Sequence, residues 1–345
     1  NVASSAKIYV LSEAVKAKFA GKGINNANIV VEECVVRVSR DSGSIGAYAS
    51  FDEAVAAIDA LSPVIGELKI EIVKDVTIGQ SGKLPSKASV ITGAGGKLKI
   101  AADIELRADL AFKNITIDDA AGSSIYAGGH ELLMAGGVVT SGKMSLYGGK
   151  KSGACANSEI MVMSGNYANI TSGGNSGAAV TGNAVLHLSD NVKVSGKAFG
   201  GKAHTGGVST VIFSGYDEIS GLPVACEGFG QLTLQDTNVA LDSVPFDAVS
   251  LTGSRLKLKN SAELADIYAD DASAIMLAQG KRLTITNAAY PEENQKIRLE
   301  VDGTIADGDV LIVSAQPGVT ANLFEVAGIP QGMHFTKVGD NCTVL

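Results

Sequence analysis

A repeated strand-and-turn unit constrains this chain more than any other feature of its sequence. Three apolar segments that each end in serine begin 25 residues apart, at Met161–Ser164, Leu186–Ser189 and Val211–Ser214. A second element, a residue pair followed by Gly-Gly, recurs before and between them, at 126–129, 146–149, 171–174 and 198–201. Short strands joined by glycine turns at a nearly fixed period are typical of a solenoid, in which each repeat forms one coil.

Superposition of the three segments predicts which side chains face the core. Alternate residues of a strand point to opposite faces of its sheet. We therefore expect two inward-facing columns, formed by Met161, Leu186 and Val211 and by Met163, Leu188 and Phe213. The column between them is expected to face outward and contains Val162, His187 and Ile212. Apolar side chains beside His187 on an outer surface would form a stripe suited to contact with a partner.

Composition supports a large apolar core and argues against two kinds of partner. Apolar residues make up 46% of the 345 residues, whereas aromatic residues make up 5% and Trp is absent. The net charge is −8 and no dense run of Lys or Arg occurs, so nucleic acid is not an expected partner. The sequence also lacks an apolar run of roughly 18 residues, the length that a membrane-spanning helix requires.

The first residues of the chain and its cysteines predict where the protein is located and in which state its thiols are. The first residue is Asn1, and no charged-then-apolar leader follows, so we expect that a signal peptide has been removed and that the protein is extracellular or on a cell surface. Cys34, Cys155, Cys226 and Cys342 lie far apart without a C-x-x-C pair, which makes a zinc site unexpected. Buried free thiols are the main expectation, and a Cys155–Cys226 bridge between neighbouring coils is the alternative.

The chain divides into three predicted segments. In residues 1–66, Ser50 and Glu53 form a capping box that predicts a helix whose apolar face includes Phe51 and Ile58 and which Pro63 ends. Such a helix suits the end cap of a solenoid. Residues 67–290 are predicted to form the coils, and the spacings Leu234 to Leu258 and Leu258 to Ile285 predict that a similar coil length continues. Residues 291–345 are predicted to be a small β tail that closes the last coil.

The order of a capping helix followed by coils of short strands resembles the right-handed parallel β-helix of the pectin-lyase-like superfamily. The sequence from Met161 to Gly174 is similar to repeats of adhesin-like surface proteins of host-associated bacteria, and the tail from Gly308 to Leu345 is similar to their closing module. The resemblance covers about Val35 to Leu345. It implies an all-β fold, a right-handed parallel β-helix with an N-terminal α-helical cap and a small C-terminal β tail.

Many proteins of that superfamily degrade polysaccharides, a reaction that requires clustered carboxylates as acid and base. The candidates are Asp118, Asp119, Asp190, Asp270, Asp271 and Glu131. Adjacent residues of a strand point to opposite faces, so neither Asp-Asp pair forms a shared site by itself. The superfamily's hydrolase signature, an Asn-x-Asp followed by paired Asp, a His-Gly and an Arg-x-Lys, is not found in order, and His130 follows a glycine without preceding one. We therefore assign no catalytic, cofactor-binding or metal-binding residue, and expect no cofactor.

Aromatic side chains are the remaining candidates for ligand contact. Tyr126, Tyr147 and Phe199 each lie shortly before a Gly-Gly turn and are expected to align along the solenoid. Such a row is either a structural stack or a shallow sugar-binding surface. His204 and His334 have no partner that is visible in the sequence.

Three functions compete at this level. The first is a non-catalytic, adhesin-like extracellular module that contacts a host or cell-surface glycan or protein. The second is a polysaccharide lyase or glycoside hydrolase, and the third is a structural spacer on the cell surface. The sequence leaves the ligand and the oligomeric state open.

Overall fold

The chain folds into a parallel β-solenoid of about 10 turns. The computed structural model describes residues 8–10, 13–22, 24, 29–31, 34–41, 43–62, 66–79, 83–174, 178–293 and 295–345. Strands account for 47% of the residues and helices for 6%. The prediction of an all-β parallel solenoid with a small N-terminal helix is therefore confirmed.

Among the described residues, two α-helices lie near the N-terminus, at α1 (Glu13–Ala20) and α2 (Phe51–Asp59), and two 3₁₀ turns cover Lys202–His204 and Ala321–Leu323. The strands before the most regular coils are β1 (Ile8–Val10), β2 (Ile29–Val31), β3 (Val36–Arg40), β4 (Gly43–Tyr48), β5 (Leu68–Ile72), β6 (Val76–Ile78), β7 (Ser89–Gly93), β8 (Leu98–Ile100), β9 (Ile104–Glu105), β10 (Leu110–Lys113), β11 (Ile117–Asp118) and β12 (Ser124–Tyr126). The middle coils contain β13 (Glu131–Met134), β14 (Ser145–Tyr147), β15 (Ser158–Val162), β16 (Gly165–Tyr167), β17 (Ile170–Thr171), β18 (Ala184–Ser189), β19 (Val192–Val194), β20 (Lys197–Phe199), β21 (Ser209–Ser214), β22 (Ile219–Ser220), β23 (Ala225–Glu227) and β24 (Gln231–Gln235). The last strands are β25 (Asn238–Leu241), β26 (Ala248–Thr252), β27 (Arg255–Leu258), β28 (Ala262–Ala269), β29 (Ala274–Ala278), β30 (Leu283–Pro291), β31 (Ile297–Asp302), β32 (Val310–Val313), β33 (Phe324–Val326), β34 (Phe335–Val338) and β35 (Asn341–Val344).

One long sheet of 16 strands runs along the solenoid, in the order β34-β35-β32-β30-β28-β26-β24-β21-β18-β15-β13-β10-β7-β5-β3-β4. Its strands pair in parallel from β5 to β32, whereas β3–β4, β3–β5, β32–β35 and β34–β35 pair antiparallel at its two ends. Shorter sheets form the other sides of the coils, among them β9-β12-β14-β17-β20-β23 and β22-β25-β27-β29-β31-β33. We call the sheet β9-β12-β14-β17-β20-β23 the third sheet and the sheet β22-β25-β27-β29-β31-β33 the second sheet.

The predicted inward columns are correct in two of the three coils. Leu186, Leu188, Val211 and Phe213 are buried, and His187 and Ile212 lie on the opposite face. In the first coil the prediction is wrong by one residue, because Ile160 and Val162 are fully buried while Met163 is 43% exposed. Strand pairing sets Ile160 against Leu186 and Met161 against His187.

This one-residue error has a simple physical cause. Ile160–Met163 is a run of four apolar residues, so either alternate pair satisfies an apolar core, and a shift by one exchanges the two faces of a strand. The outward column therefore contains Met161, His187 and Ile212, and Val162 belongs to the core.

The prediction that a similar coil length continues from Leu234 to Ile285 is also wrong. Leu234 pairs with Leu251 in the long sheet, whereas Leu258 pairs with Leu277 in the second sheet. The spacing from Leu234 to Leu258 therefore joins two different sides of the solenoid and does not measure a coil. Coils can shorten here because only strands must stay in register, and the turns between them vary in length.

Helix α2 confirms the capping-box prediction. The Ser50 Oγ accepts a hydrogen bond from the Glu53 N–H at 3.2 Å, and the Glu53 carboxylate accepts one from the Ala49 N–H at 3.2 Å. Phe51 and Ile58 are buried in the same apolar cluster as the first coil. The helix ends at Asp59 with Ala60 as its C-cap, and Pro63 lies outside the described residues.

The Gly-Gly turns are required by close contact between coils. A Cβ on Gly173 would collide with the carbonyl oxygen of Gly200 on the next coil, and one on Gly148 would collide with the carbonyl oxygen of Ser172. A larger residue at either position would force neighbouring coils apart, so these glycines are explained by packing between coils.

The four cysteines are free thiols, so the alternative of a Cys155–Cys226 bridge is wrong. Cys34, Cys155 and Cys342 are buried and Cys226 is partly buried. Burial raises the pKa of the Cys226 thiol to about 12, which keeps it protonated and unreactive at neutral pH.

Candidate functional site

One row of aligned side chains runs along the outer face of the long sheet. Strand pairing aligns its members directly across neighbouring coils, and each lies between two residues whose side chains face the core. We call it the outer row, which comprises Val90, Ala111, Leu133, Met161, His187, Ile212, Thr233, Ser250, Tyr268 and Tyr290. The column predicted around His187 is the middle of this row.

The first six positions of the outer row, from Val90 to Ile212, carry five apolar side chains and one histidine. All six are half-buried, since each covers part of its neighbours. Strands in a sheet lie about 4.8 Å apart, so the six positions extend over roughly 24 Å. Met163, one column to the side and 43% exposed, widens the apolar area near the middle. A stripe of this length differs from the scattered apolar residues of an ordinary surface.

Two neighbouring grooves border the N-terminal end of the outer row. One, of about 330 Å³, is lined by Val90, Ala111 and Leu133 together with carboxylates of the adjacent column. The other, of about 510 Å³, is lined by Val90, Lys69 and Lys113 and by the end of β3 at Arg40. Because Val90 lines both, the two grooves lie side by side on the same face.

A column of carboxylates flanks the apolar part of the outer row. Glu131 on β13 pairs directly with Glu159 on β15, and the Glu131 N–H donates to the Asp109 carboxylate at 2.9 Å. The His130 Nδ1 lies 3.7 Å from the same Asp109 carboxylate. Burial, followed by the negative charges of Glu159 and Asp109, raises the pKa of Glu131. The outer row thus has an acidic edge.

His187 is integrated into the surface rather than free in solvent. Its Nε2 lies 2.8 Å from the Ser214 Oγ on the next coil. Burial lowers its pKa, and the negative charge of Glu159 opposes that shift. A neutral His187 at physiological pH adds a flat, weakly polar side chain to the apolar stripe.

The carboxylates considered for catalysis are dispersed over different coils. Asp118 ends β11, Glu131 begins β13, Asp190 follows β18, and Asp270 and Asp271 follow β28. Asp119 is buried, and its carboxylate accepts hydrogen bonds from the Ser141, Lys143 and Met144 N–H groups and from the Ser141 Oγ. Asp270 accepts from the Gly253 N–H and the Ser273 Oγ. Asp119 and Asp270 therefore connect successive coils.

The predicted aromatic alignment exists in the third sheet. Tyr126 pairs with Tyr147, Thr171 follows, and Phe199 pairs with Thr171 on the next coil. The Tyr126 and Tyr147 rings stack with centroids 4.7 Å apart and an interplanar angle of 11°. Both rings are half-buried, as expected of a structural stack.

A second tyrosine pair was not predicted from the sequence. Tyr268 and Tyr290 pair across β28 and β30 in the outer row, with ring centroids 4.6 Å apart and an interplanar angle of 10°. They are 39% and 45% exposed, more than the pair in the third sheet. The available signal was the similarity of the segments Ile267–Ala269 and Ala289–Pro291, each a tyrosine between two less polar residues.

The remaining histidines and possible metal ligands give no further site. His204 and His334 are exposed. Among the residues that the structure describes, no group of three or more His, Cys, Asp or Glu side chains is placed to hold a metal ion. Within the same part of the chain, no helix has the length and apolar character that crossing a membrane requires.

Comparison of the chain with protein-family models, with curated proteins and with solved structures found no match. The fold therefore defines the class of the protein, a parallel β-solenoid with a half-buried apolar row on the outer face of its longest sheet.

Proposed function

We propose that this protein is a non-catalytic, adhesin-like extracellular module whose outer row contacts a glycan or protein on a host or neighbouring cell surface. The observation that carries the proposal is the continuity of the apolar stripe from Val90 to Ile212 over six coils. A solenoid holds such a stripe straight and rigid, so a partner can bind along it without ordering the protein first.

The hydrogen bonds of the carboxylates support a binding role over a catalytic one. A glycosidase needs carboxyl groups that are free to exchange protons with a substrate. The oxygens of Asp119 already accept four hydrogen bonds from the next coil, and Asp270 accepts from two residues. These side chains stabilise turns, which leaves the apolar surface as the more extensive candidate for interaction.

Binding to cells and to glycans tests the proposal directly. The double variant Leu133→Gln with Met161→Gln makes two neighbouring positions of the outer row polar while keeping side chains of similar size. We expect binding to intact epithelial cells or to an immobilised glycan array to weaken about tenfold, because the apolar area removed from water in the complex decreases.

A matched control uses two exposed valines outside the outer row. Val139 and Val208 are 55% and 49% exposed, so Val139→Gln with Val208→Gln changes polarity to a similar extent elsewhere on the surface. Retention of binding in this control, with loss in the first variant, supports the proposal. If the unmodified protein binds neither cells nor any glycan of the array, the spacer hypothesis replaces it.

The polysaccharide-degrading alternative is favoured by one observation, the pairing of Glu131 with Glu159. Paired residues of parallel strands lie about 4.8 Å apart, near the carboxyl separation of about 5–5.5 Å in retaining glycosidases. The pKa of Glu131 is raised by burial and by the neighbouring carboxylates, as a general acid requires. A groove of about 360 Å³ lies over both residues.

Hydrolysis assays separate this alternative from the binding proposal. Release of reducing ends from a panel of plant and host polysaccharides by the unmodified protein, abolished by both Glu131→Gln and Glu159→Gln, would establish the enzyme. Binding without any release of reducing ends leaves the non-catalytic module as the function.

A further inference from the structure

The height of the outer row changes abruptly between Ser250 and the exposed tyrosine pair, and we call this change between Ser250 and Tyr268 the step. On one side, Tyr268 stacks on Tyr290. On the other side, its direct partner across the coil boundary is Ser250, and the next position is Thr233. Since a serine side chain is much shorter than a tyrosine side chain, the second face of the Tyr268 ring rises above a floor of small hydroxyl-bearing residues.

The orientation of this ring follows from the stacking. The centroids of Tyr268 and Tyr290 are 4.6 Å apart and their planes differ by 10°, and the separation matches the spacing of about 4.8 Å between strands. The ring planes therefore lie across the direction in which the coils stack. One face of Tyr268 is covered by Tyr290, and the other looks along the outer row over Ser250.

Polar groups lie beside the Tyr268 ring and below its free face. Asp266 lies two residues before Tyr268 on the same side of β28, and its carboxylate accepts a hydrogen bond from the Asn287 amide at 2.7 Å. Removal from water and then the charge of Asp266 raise the pKa of Tyr268, as expected of a carboxylate close to the ring. With the hydroxyl groups of Ser250 and Thr233, the step offers donors and acceptors beside an apolar wall.

This combination fits a sugar ring better than other ligands. A pyranose has a face of C–H groups that packs on an aromatic ring, and hydroxyl groups at its edge that bond to carboxylates, amides and hydroxyls. A nucleotide or a sulfated glycan would bring negative charge against Asp266 and against a chain of net charge −8.

We propose that the face of Tyr268 above Ser250 is a subsite for a neutral pyranose within an oligosaccharide chain. This inference deepens the proposed function and rests on it, since it names a neutral glycan as the ligand. The two are distinguishable because the apolar stripe is altered at Leu133 and Met161, whereas the subsite is altered at Tyr268 and Ser250.

Titration with neutral oligosaccharides tests the subsite. The probes are cellohexaose, xylohexaose and mannohexaose, with a heparin hexasaccharide as the anionic comparison. Tyrosine fluorescence can follow binding because the chain has eight Tyr and no Trp, and calorimetry gives the affinity independently. We expect at least one neutral hexaose to bind and the heparin fragment not to bind.

Two variants locate that binding at the step. Tyr268→Ser removes the wall and is expected to weaken binding about tenfold, while Tyr268→Phe keeps the ring and most of the affinity. Ser250→Leu places an apolar side chain against the free face without adding a new ring, so it should also weaken binding about tenfold although it leaves Tyr268 in place. Unchanged circular dichroism and thermal transitions show that each variant is folded.

Several outcomes would overturn the subsite. It is wrong if none of the three neutral hexaoses binds, or if Tyr268→Ser binds as tightly as the unmodified protein. Retained binding in the folded Ser250→Leu variant also refutes it, because the face above Ser250 is then not used. Cell binding that depends on Tyr268 without any affinity for sugars would point to a protein partner and reject the glycan.

Discussion

Replacement of Asp119 gives the sharpest test of how successive coils are held together. The carboxylate is 1% exposed, and each of its oxygens accepts two hydrogen bonds from the turn of the next coil. The N–H groups of Lys143 and Met144 donate to one oxygen at 2.9 Å, and that of Ser141 donates to the other at 2.8 Å. Three backbone donors, of which that of Met144 is buried and those of Ser141 and Lys143 are partly buried, thus depend on a single side chain.

The magnitude follows from counting the donors that lose their acceptor. In Asp119→Asn the amide oxygen can serve Lys143 and Met144, but the amide nitrogen then faces the Ser141 N–H, which loses its partner. An unsatisfied buried N–H costs about 1–3 kcal/mol, and because the Ser141 N–H is only partly buried we expect about 1 kcal/mol for this variant. Asp119→Ala leaves all three N–H groups without an acceptor and should cost at least about 3 kcal/mol.

The same carboxylate makes the turn sensitive to acid. Burial alone would raise the pKa of Asp119, but the hydrogen bonds from Ser141, Met144 and Lys143 outweigh it and hold the pKa below the usual value of 3.8. A carboxyl whose pKa is lowered in the folded state stabilises that state above its unfolded pKa. This stabilisation is lost as the pH falls below 3.8 and through the lower folded value, and Asp119→Asn should remove that part of the pH dependence.

Hydrogen exchange at the affected amides is the suitable assay, because a solenoid of stacked coils need not unfold in one step. We expect the protection of the Ser141 amide to fall roughly 5-fold in Asp119→Asn, the factor that corresponds to about 1 kcal/mol, and the protection of the Lys143 and Met144 amides to fall as well in Asp119→Ala. Asp118→Asn is the matched control, since Asp118 accepts only a local hydrogen bond from the Ala120 N–H. Equal protection in the two variants would refute the structural role assigned to Asp119.

Three further predictions concern the core, the turns and the thiols. Phe213→Ala should destabilise the protein by about 3–5 kcal/mol because the ring is fully buried. Val338→Ala changes a position that is 56% exposed and should leave the free energy of unfolding nearly unchanged. Chemical unfolding measures both variants. Gly173→Ala should lower the melting temperature because its Cβ meets backbone of the next coil, while Gly79→Ala, with open space around it, should leave it unchanged. The Cys226 thiol, whose pKa is about 12, should resist a thiol reagent at neutral pH until the protein is denatured; rapid labelling of the native protein would contradict this.

The coils were predictable because their chemistry is local. Period-two alternation and glycine turns identified strands such as Leu98–Ile100, and the capping box located α2. The register of β15 was not predictable, since Ile160–Met163 offers two equivalent apolar pairs. The neighbouring strands decide between them, because a shift by one residue would bury Met161 and Met163 and expose Ile160 and Val162.

The candidate surface was predictable only in part. The alternation around His187 was sufficient to place His187 and Ile212 on the outer face, and Tyr126 and Tyr147 were correctly expected to align. Tyr268 and Tyr290 are 22 residues apart, and the similarity of the segments around them does not by itself set the two rings directly opposite each other. Their stacking depends on the length of the turns between β28 and β30, which period-two patterns do not encode.

Strand alternation, turn glycines and helix caps are properties of short segments, so they predict a β-solenoid with an N-terminal helix without any knowledge of the fold. The members of the outer row, and the point where its apolar part gives way to Ser250 and the tyrosine step, follow only from how the coils stack. A surface row consists of one residue from each coil, and its members become neighbours only when hydrogen bonds between coils set the register.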